Sequence, residues 1–113
     1  MSLIPFDSPF RHGFVRVAVA STVITIANPK ANAFSIVQLM QDAEADHIQV
    51  LVTPELGLTG YTCDELFQQT VLLDSVTDAL QAICDATIGS KLLCFVGAPI
   101  RVGAKLYNCA VGI

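Results

Sequence analysis

The sequence predicts an α/β fold containing parallel strands, and three observations point there. Apolar extended stretches recur at 14–20, 48–53 and 92–96. Two segments whose apolar residues fall at helical spacing separate them. A further extended stretch, 105–111, follows the third after a connection containing Pro99 and Gly103. Strand, helix and strand in that order imply a parallel pair joined by a right-handed crossover, and the closing pair reads as an antiparallel hairpin.

Taken in order, Met1 to Gly13 carries Asp7, Pro5 and Pro9 and reads as an irregular arm. The run FVRVAVA from Phe14 to Ala20 alternates, with Val15, Val17 and Val19 on one face. TVITI, Thr22 to Ile26, is a second extended stretch close behind it. Asn28-Pro29 suits a helix start, Asn as the cap and Pro in the first turn. Ala33, Ile36, Val37 and Met40 then form an apolar stripe, and the helix is expected to end near His47. Ile48 to Thr53 (IQVLVT) is the next strand, closed by Pro54. A loop with Gly57 and Gly60 leads to a second helix over 70–87, with Leu73, Val76, Leu80 and Ile83 on one side and Gly89 as its stop. Leu92 to Val96 (LLCFV) has the unbroken apolar pattern of a strand covered on both faces. Ala98 to Ala104 reads as a connection, and Lys105 to Val111 as the returning strand.

Composition narrows the function classes. The chain has 113 residues, 53% hydrophobic and 14% charged, with a mean hydropathy of +0.61. So little polar surface on so small a domain implies apolar faces that meet other protein. No apolar run approaches the roughly 18 residues of a spanning helix, and the N-terminus lacks a signal peptide's apolar stretch. A cytoplasmic protein with no membrane partner is expected. The net charge of −4 and scattered basic residues argue against nucleic acid. Cys63, Cys84, Cys94 and Cys109 show no zinc spacing, His12 and His47 stand apart, and the cysteines read as reduced structural thiols without a metal.

The chemistry gathers at Pro54-Glu55-Leu56-Gly57-Leu58-Thr59-Gly60-Tyr61, followed by Thr62-Cys63-Asp64-Glu65-Leu66-Phe67. This stretch resembles the P-E-x-x-L-[ST]-G-Y segment of the nitrilase superfamily, and its tail is similar to the branch fused to NAD synthetases. The resemblance implies the first half of a four-layer α-β-β-α sandwich, a partial carbon–nitrogen hydrolase (glutaminase) domain over 14–113. It also implies a Cys nucleophile, a Glu general base and an oxyanion-stabilising Lys that together hydrolyse glutamine through a thioester. The ammonia would serve ATP- and magnesium-dependent amidation of deamido-NAD in a separate synthetase domain.

Glu55 matches the base position. A thiol with its ordinary pKa of ~8.5 needs a neighbouring base at neutral pH, and a strand's C-terminal mouth can aim a carboxylate into a cleft. Position alone would make Glu55 a surface carboxylate after a strand-ending proline; the surrounding motif favours the base. Tyr61 lies near the site by resemblance, either shaping the pocket or ammonia route or serving as an aromatic plug. Gly57 and Gly60 are expected to permit turns, and Asp64 and Glu65 to cap a short helix.

Lys91, Lys105 and the four cysteines match neither the family's lysine nor its nucleophile. The 113 residues alone are therefore expected to be inactive, with the remainder of the same polypeptide, glutamine and further copies of the protein as partners. The alternatives are a carbon–nitrogen hydrolase of another amide or nitrile, and a non-catalytic folding or association fragment.

Overall fold

The computed structural model describes residues 12–60 and 69–113, so most of the N-terminal arm lies outside the described residues. Its elements are β1 (Val17–Val19), α1 (Pro29–Ala45), β2 (Val50–Val52), α2 (Thr70–Ala86), β3 (Leu93–Val102) and β4 (Lys105–Gly112). They form one sheet in the order β1-β2-β3-β4. β1, β2 and β3 run parallel, and β4 returns antiparallel to β3. Two successive crossovers in the same direction set both helices on the same face of the sheet.

Local chemistry explains the helix limits. Asn28 Oδ1 accepts from the Ala31 backbone N–H, and Pro29 occupies the first turn, where its missing N–H costs nothing. At the other end His47 adopts φ 60°. The His47 N–H then reaches Glu44 O, and the Ile48 N–H reaches Ala43 O. This is the left-handed stop usually filled by glycine, and it satisfies carbonyls the helix leaves open. α2 ends at Thr87, whose backbone N–H and hydroxyl both donate to Ile83 O, with Gly89 following at φ 84°.

Between helices and sheet lies the core, built from Ala33, Ile36, Met40 and Ala43 of α1, Val76, Ala79 and Ile83 of α2, and Leu51, Cys94, Val96 and Ala98 of the strands. Strand alternation sends the intervening residues to the other face. There Val17, Val19, Val52 and Leu93 are exposed. The face predicted at Val15, Val17 and Val19 is thus the uncovered one, and Ala18 is the β1 residue that packs against the core.

Two expectations need correction. Ala98 to Ala104 is not a connection: β3 runs on to Val102, and Gly103-Ala104 alone makes the turn, with Gly103 at φ 61°. Pro99 is tolerated because Cys94 and Ile113 exchange both backbone bonds, which by alternation sends the amide position of residue 99 away from β4. On that side β2 has already ended, its last paired residue meeting Phe95, so no ladder bond is lost. The stretch 22–26 forms no strand. Instead the Asn32 amide accepts from the Thr25 N–H and donates to Thr25 O, both at 2.8 Å, as a neighbouring strand would.

Candidate active site

Val52 is the last residue of β2, and the chain stays tied to β3 for one step more. Both the backbone N–H and the hydroxyl of Thr53 donate to Phe95 O, at 3.1 and 2.9 Å. Pro54 then ends the extended run, and residues 55–59 turn. The Gly57 N–H donates to Pro54 O, while the N–H groups of Thr59 and Gly60 both donate to Leu56 O. Leu56 sits at φ 52°, a left-handed conformation that costs a side-chain-bearing residue about 1–2 kcal/mol. Gly60 follows at φ 92°, as its expected turning role requires.

Strain of this kind persists only where the surroundings enforce it, and three neighbours do so. Below, the Leu58 N–H donates to Gly97 O in β3. A Cβ on Gly97 would lie 2.4 Å from the Leu56 nitrogen and 2.5 Å from Pro54 O, so only glycine lets the loop approach the strand this closely. To one side, the Ala27 N–H donates to Thr59 O at 2.7 Å. From α1, the buried Asn32 amide also donates to Leu58 O at 2.9 Å, joining the 22–26 segment, the helix and the loop.

Residues 56–60 are all buried, and Glu55 stands exposed before them. Its carboxylate Oε1 accepts a hydrogen bond from Asn108 Nδ2 of β4. Both line a depression of about 310 Å3, whose walls include Val52, Pro54, Phe95 and Gly97. Glu55 is exposed because its cleft lies on the sheet face that no described residue covers. A carboxylate held so, on a packed loop beside a concavity, can accept a proton from a group placed above it.

None of the other described candidates turns its side chain toward it. Tyr61, Cys63 and the expected cap at Asp64 and Glu65 lie outside the described residues. Cys94 is fully buried on the helix side, and burial pushes its thiol up to about 11. Cys109 also lines the depression, but as the neighbour of Asn108 in β4 it turns its side chain to the opposite face; Cys84 is exposed on α2, behind the sheet. Lys105 pairs with Val102, five strand positions beyond Gly97 and roughly 16 Å away at the ordinary rise. Lys91 precedes β3, at the other end of the sheet. Among the described residues no three His, Cys, Asp or Glu side chains cluster as a metal site would need, and no helix is long and apolar enough to cross a membrane.

Gly97, Asn108 and Asn32 are the residues that sequence reasoning missed. Each carried a signal: a glycine inside an apolar strand marks close backbone approach, asparagine is uncommon in strands, and Asn32 interrupts an apolar stripe.

No protein-family model matches the sequence. The glutamine-dependent NAD(+) synthetase of Mycobacterium bovis is 39% identical over 108 residues, covering 96% of this chain. This chain belongs to the family of the glutamine-dependent NAD(+) synthetases. The synthetase of the same name from Arabidopsis thaliana is 33% identical over 85 residues. The chain spans 16% of the length of the mycobacterial synthetase.

Solved structures agree in fold. The glutamine-dependent NAD(+) synthetase of Cytophaga hutchinsonii superposes with a TM-score of 0.80 at 23% identity, over 88% of this chain and 17% of that one. A nitrilase-superfamily amidase from Nesterenkonia AN1 does so with a TM-score of 0.64 at 20% identity, over 86% and 41% of the two chains. The architecture is therefore the first half of the superfamily's sandwich, one helix layer and one sheet.

Proposed function

We propose that this chain is the base-carrying portion of a glutamine-hydrolysing domain, with Glu55 as general base. The reading rests on one observation: the Glu55 carboxylate stands out from an otherwise buried loop, at the mouth of β2 and beside a depression on the open sheet face. In the longer polypeptide, a cysteine and a lysine from chain beyond these residues complete the site over that face. Glu55 takes the thiol proton, the thiolate attacks the glutamine side-chain amide, and the lysine stabilises the developing oxyanion. The proton then passes from Glu55 to the leaving ammonia, and water attacks the thioester with Glu55 again as base.

Ammonia released there serves ATP- and magnesium-dependent amidation of deamido-NAD elsewhere in that polypeptide. The similarity to proteins named for this glutamine-dependent synthesis supports the assignment. Taken alone, the 113 residues are inactive in this reading, because none of the four cysteines matches the family's nucleophile position.

Replacing Glu55→Gln in the longer polypeptide tests the reading. Glutamine-driven NAD synthesis is expected to fall by about 100- to 10,000-fold, the range a general base contributes, while synthesis from added ammonium salt is retained. Retention of glutamine-driven synthesis, or equal loss of both activities, would remove Glu55 from the chemistry.

A further inference from the structure

Resting on that reading of Glu55, we infer that Asn108 is the positioning residue of the base: its side-chain amide holds one carboxylate oxygen and leaves the other to take the nucleophile's proton. Asn108 pairs with Pro99 in the β3–β4 ladder. By the alternation that the Cys94–Ile113 exchange establishes, this is a pair without mutual backbone bonds, where facing residues approach most closely. The same alternation turns its side chain toward the open face, the side on which Glu55 lies.

The neighbouring pair along the ladder is Gly97 with Ala110, so no bulky group stands between Asn108 and the loop above β3. Gly97 thereby serves twice. It lets the Pro54–Leu58 backbone settle onto the strand, and it leaves Glu55 lateral room to reach across to β4. Asn108 Nδ2 donates to Glu55 Oε1. Among the described residues no donor meets Oε2, which can accept the thiol proton.

The choice of residue suits the task. A glutamate side chain has several rotatable bonds and, exposed as this one is, would sample many rotamers without a partner. A lysine or arginine in the place of Asn108 would form a charge-assisted bond and oppose protonation of the base. A neutral amide donates one hydrogen bond, cannot itself gain or lose a proton near neutral pH, and so orients the carboxylate without competing for the proton. Nothing in the packing of β4 demands an exposed asparagine here, since the type is disfavoured in strands.

The test is a set of variants in the longer polypeptide, assayed for glutamine hydrolysis and for ammonium-driven NAD synthesis. With Asn108→Leu, kcat for glutamine should fall by about 10- to 100-fold, the scale of a misplaced catalytic group. KM for glutamine, the thermal midpoint and ammonium-driven synthesis should change little. Asn108→Asp preserves the shape, loses the donor and sets a second carboxyl against Glu55, so its kcat should fall at least as far at neutral pH. Full activity of Asn108→Asp would overturn the inference, as would a loss that appears equally in the thermal midpoint and in ammonium-driven synthesis. The Glu55→Gln variant in the same assay separates the two ideas. If it abolishes glutamine hydrolysis while both Asn108 variants keep wild-type kcat, the base assignment stands and the positioning role fails.

Discussion

The two faces of the sheet differ more than their sequences do. Leu51, Cys94, Val96 and Ala98 face the helices and are essentially buried. Val17, Val19, Val52 and Leu93 face the other way and range from 41% to 83% exposed. Both sets are apolar, whereas a sheet made to meet water on one side alternates apolar with polar. The strands are therefore built for two covers, and the described residues supply one. At the edge of the uncovered side, where β2 ends, the polar side chains of Glu55 and Asn108 stand in contact at the depression. An apolar sheet face without a second layer, with a carboxylate at its rim, fits the proposal that further chain covers it and completes a site there.

Neighbouring residues on opposite faces offer the sharpest way to break this comparison. Leu51→Ala should cost about 2–5 kcal/mol, since it opens a cavity in a filled core. Val52→Ala, one residue on, should cost under about 1 kcal/mol in the chain alone. Chemical denaturation of both variants measures the contrast, and equal costs would show that the two faces are not differently covered. In the longer polypeptide the Val52 cost should rise toward that of Leu51.

A somewhat smaller effect is expected at Asn32→Leu, about 1–3 kcal/mol by the same measurement. It leaves the Thr25 backbone groups and Leu58 O without their partner, and it loosens the loop that carries Glu55. Asn28→Ala removes only the cap bond to Ala31 and should cost about 1 kcal/mol.

The smallest perturbation is chemical. In the folded chain an alkylating reagent near pH 8 should modify the exposed Cys84 and spare Cys94, as peptide mass spectrometry would show. Burial raises the Cys94 thiol from 9.0 to about 11. The sign follows: below about pH 9 the thiol is neutral in both folded and unfolded chains, and above it the unfolded chain ionises first. Stability should therefore fall as pH rises from about 9 toward 11, and Cys94→Ala should remove that part of the slope.

How much of this was legible beforehand varied with the distance over which each feature is determined. α1 and α2 were readable almost to the residue, because Asn28, Pro29 and Gly89 act locally and the stripes of Ile36, Met40, Val76 and Ile83 repeat at short range. The full extent of β3 was not, because Pro99 looks like a strand breaker until its missing N–H is seen to face the side where β2 has stopped. TVITI resembled a strand by composition, yet its backbone groups are met by the side chain of Asn32, a partner seven residues away that no alternation pattern reveals. Glu55 was singled out from the segment around it. Its holding by Asn108 and Gly97 depends on ladder register, which is set by the whole hairpin.

The claim on which the rest depends is that Glu55 faces a thiol supplied from beyond these residues, across the uncovered sheet. A crystal structure of the longer polypeptide measures it directly. The account predicts a cysteine Sγ within roughly 3–4 Å of Glu55 Oε2, the reach of a nucleophile and its base, with a second apolar layer over Val52 and Phe95. A Glu55 that faces bulk solvent there, with the nearest thiol on another face of the sheet, would contradict it.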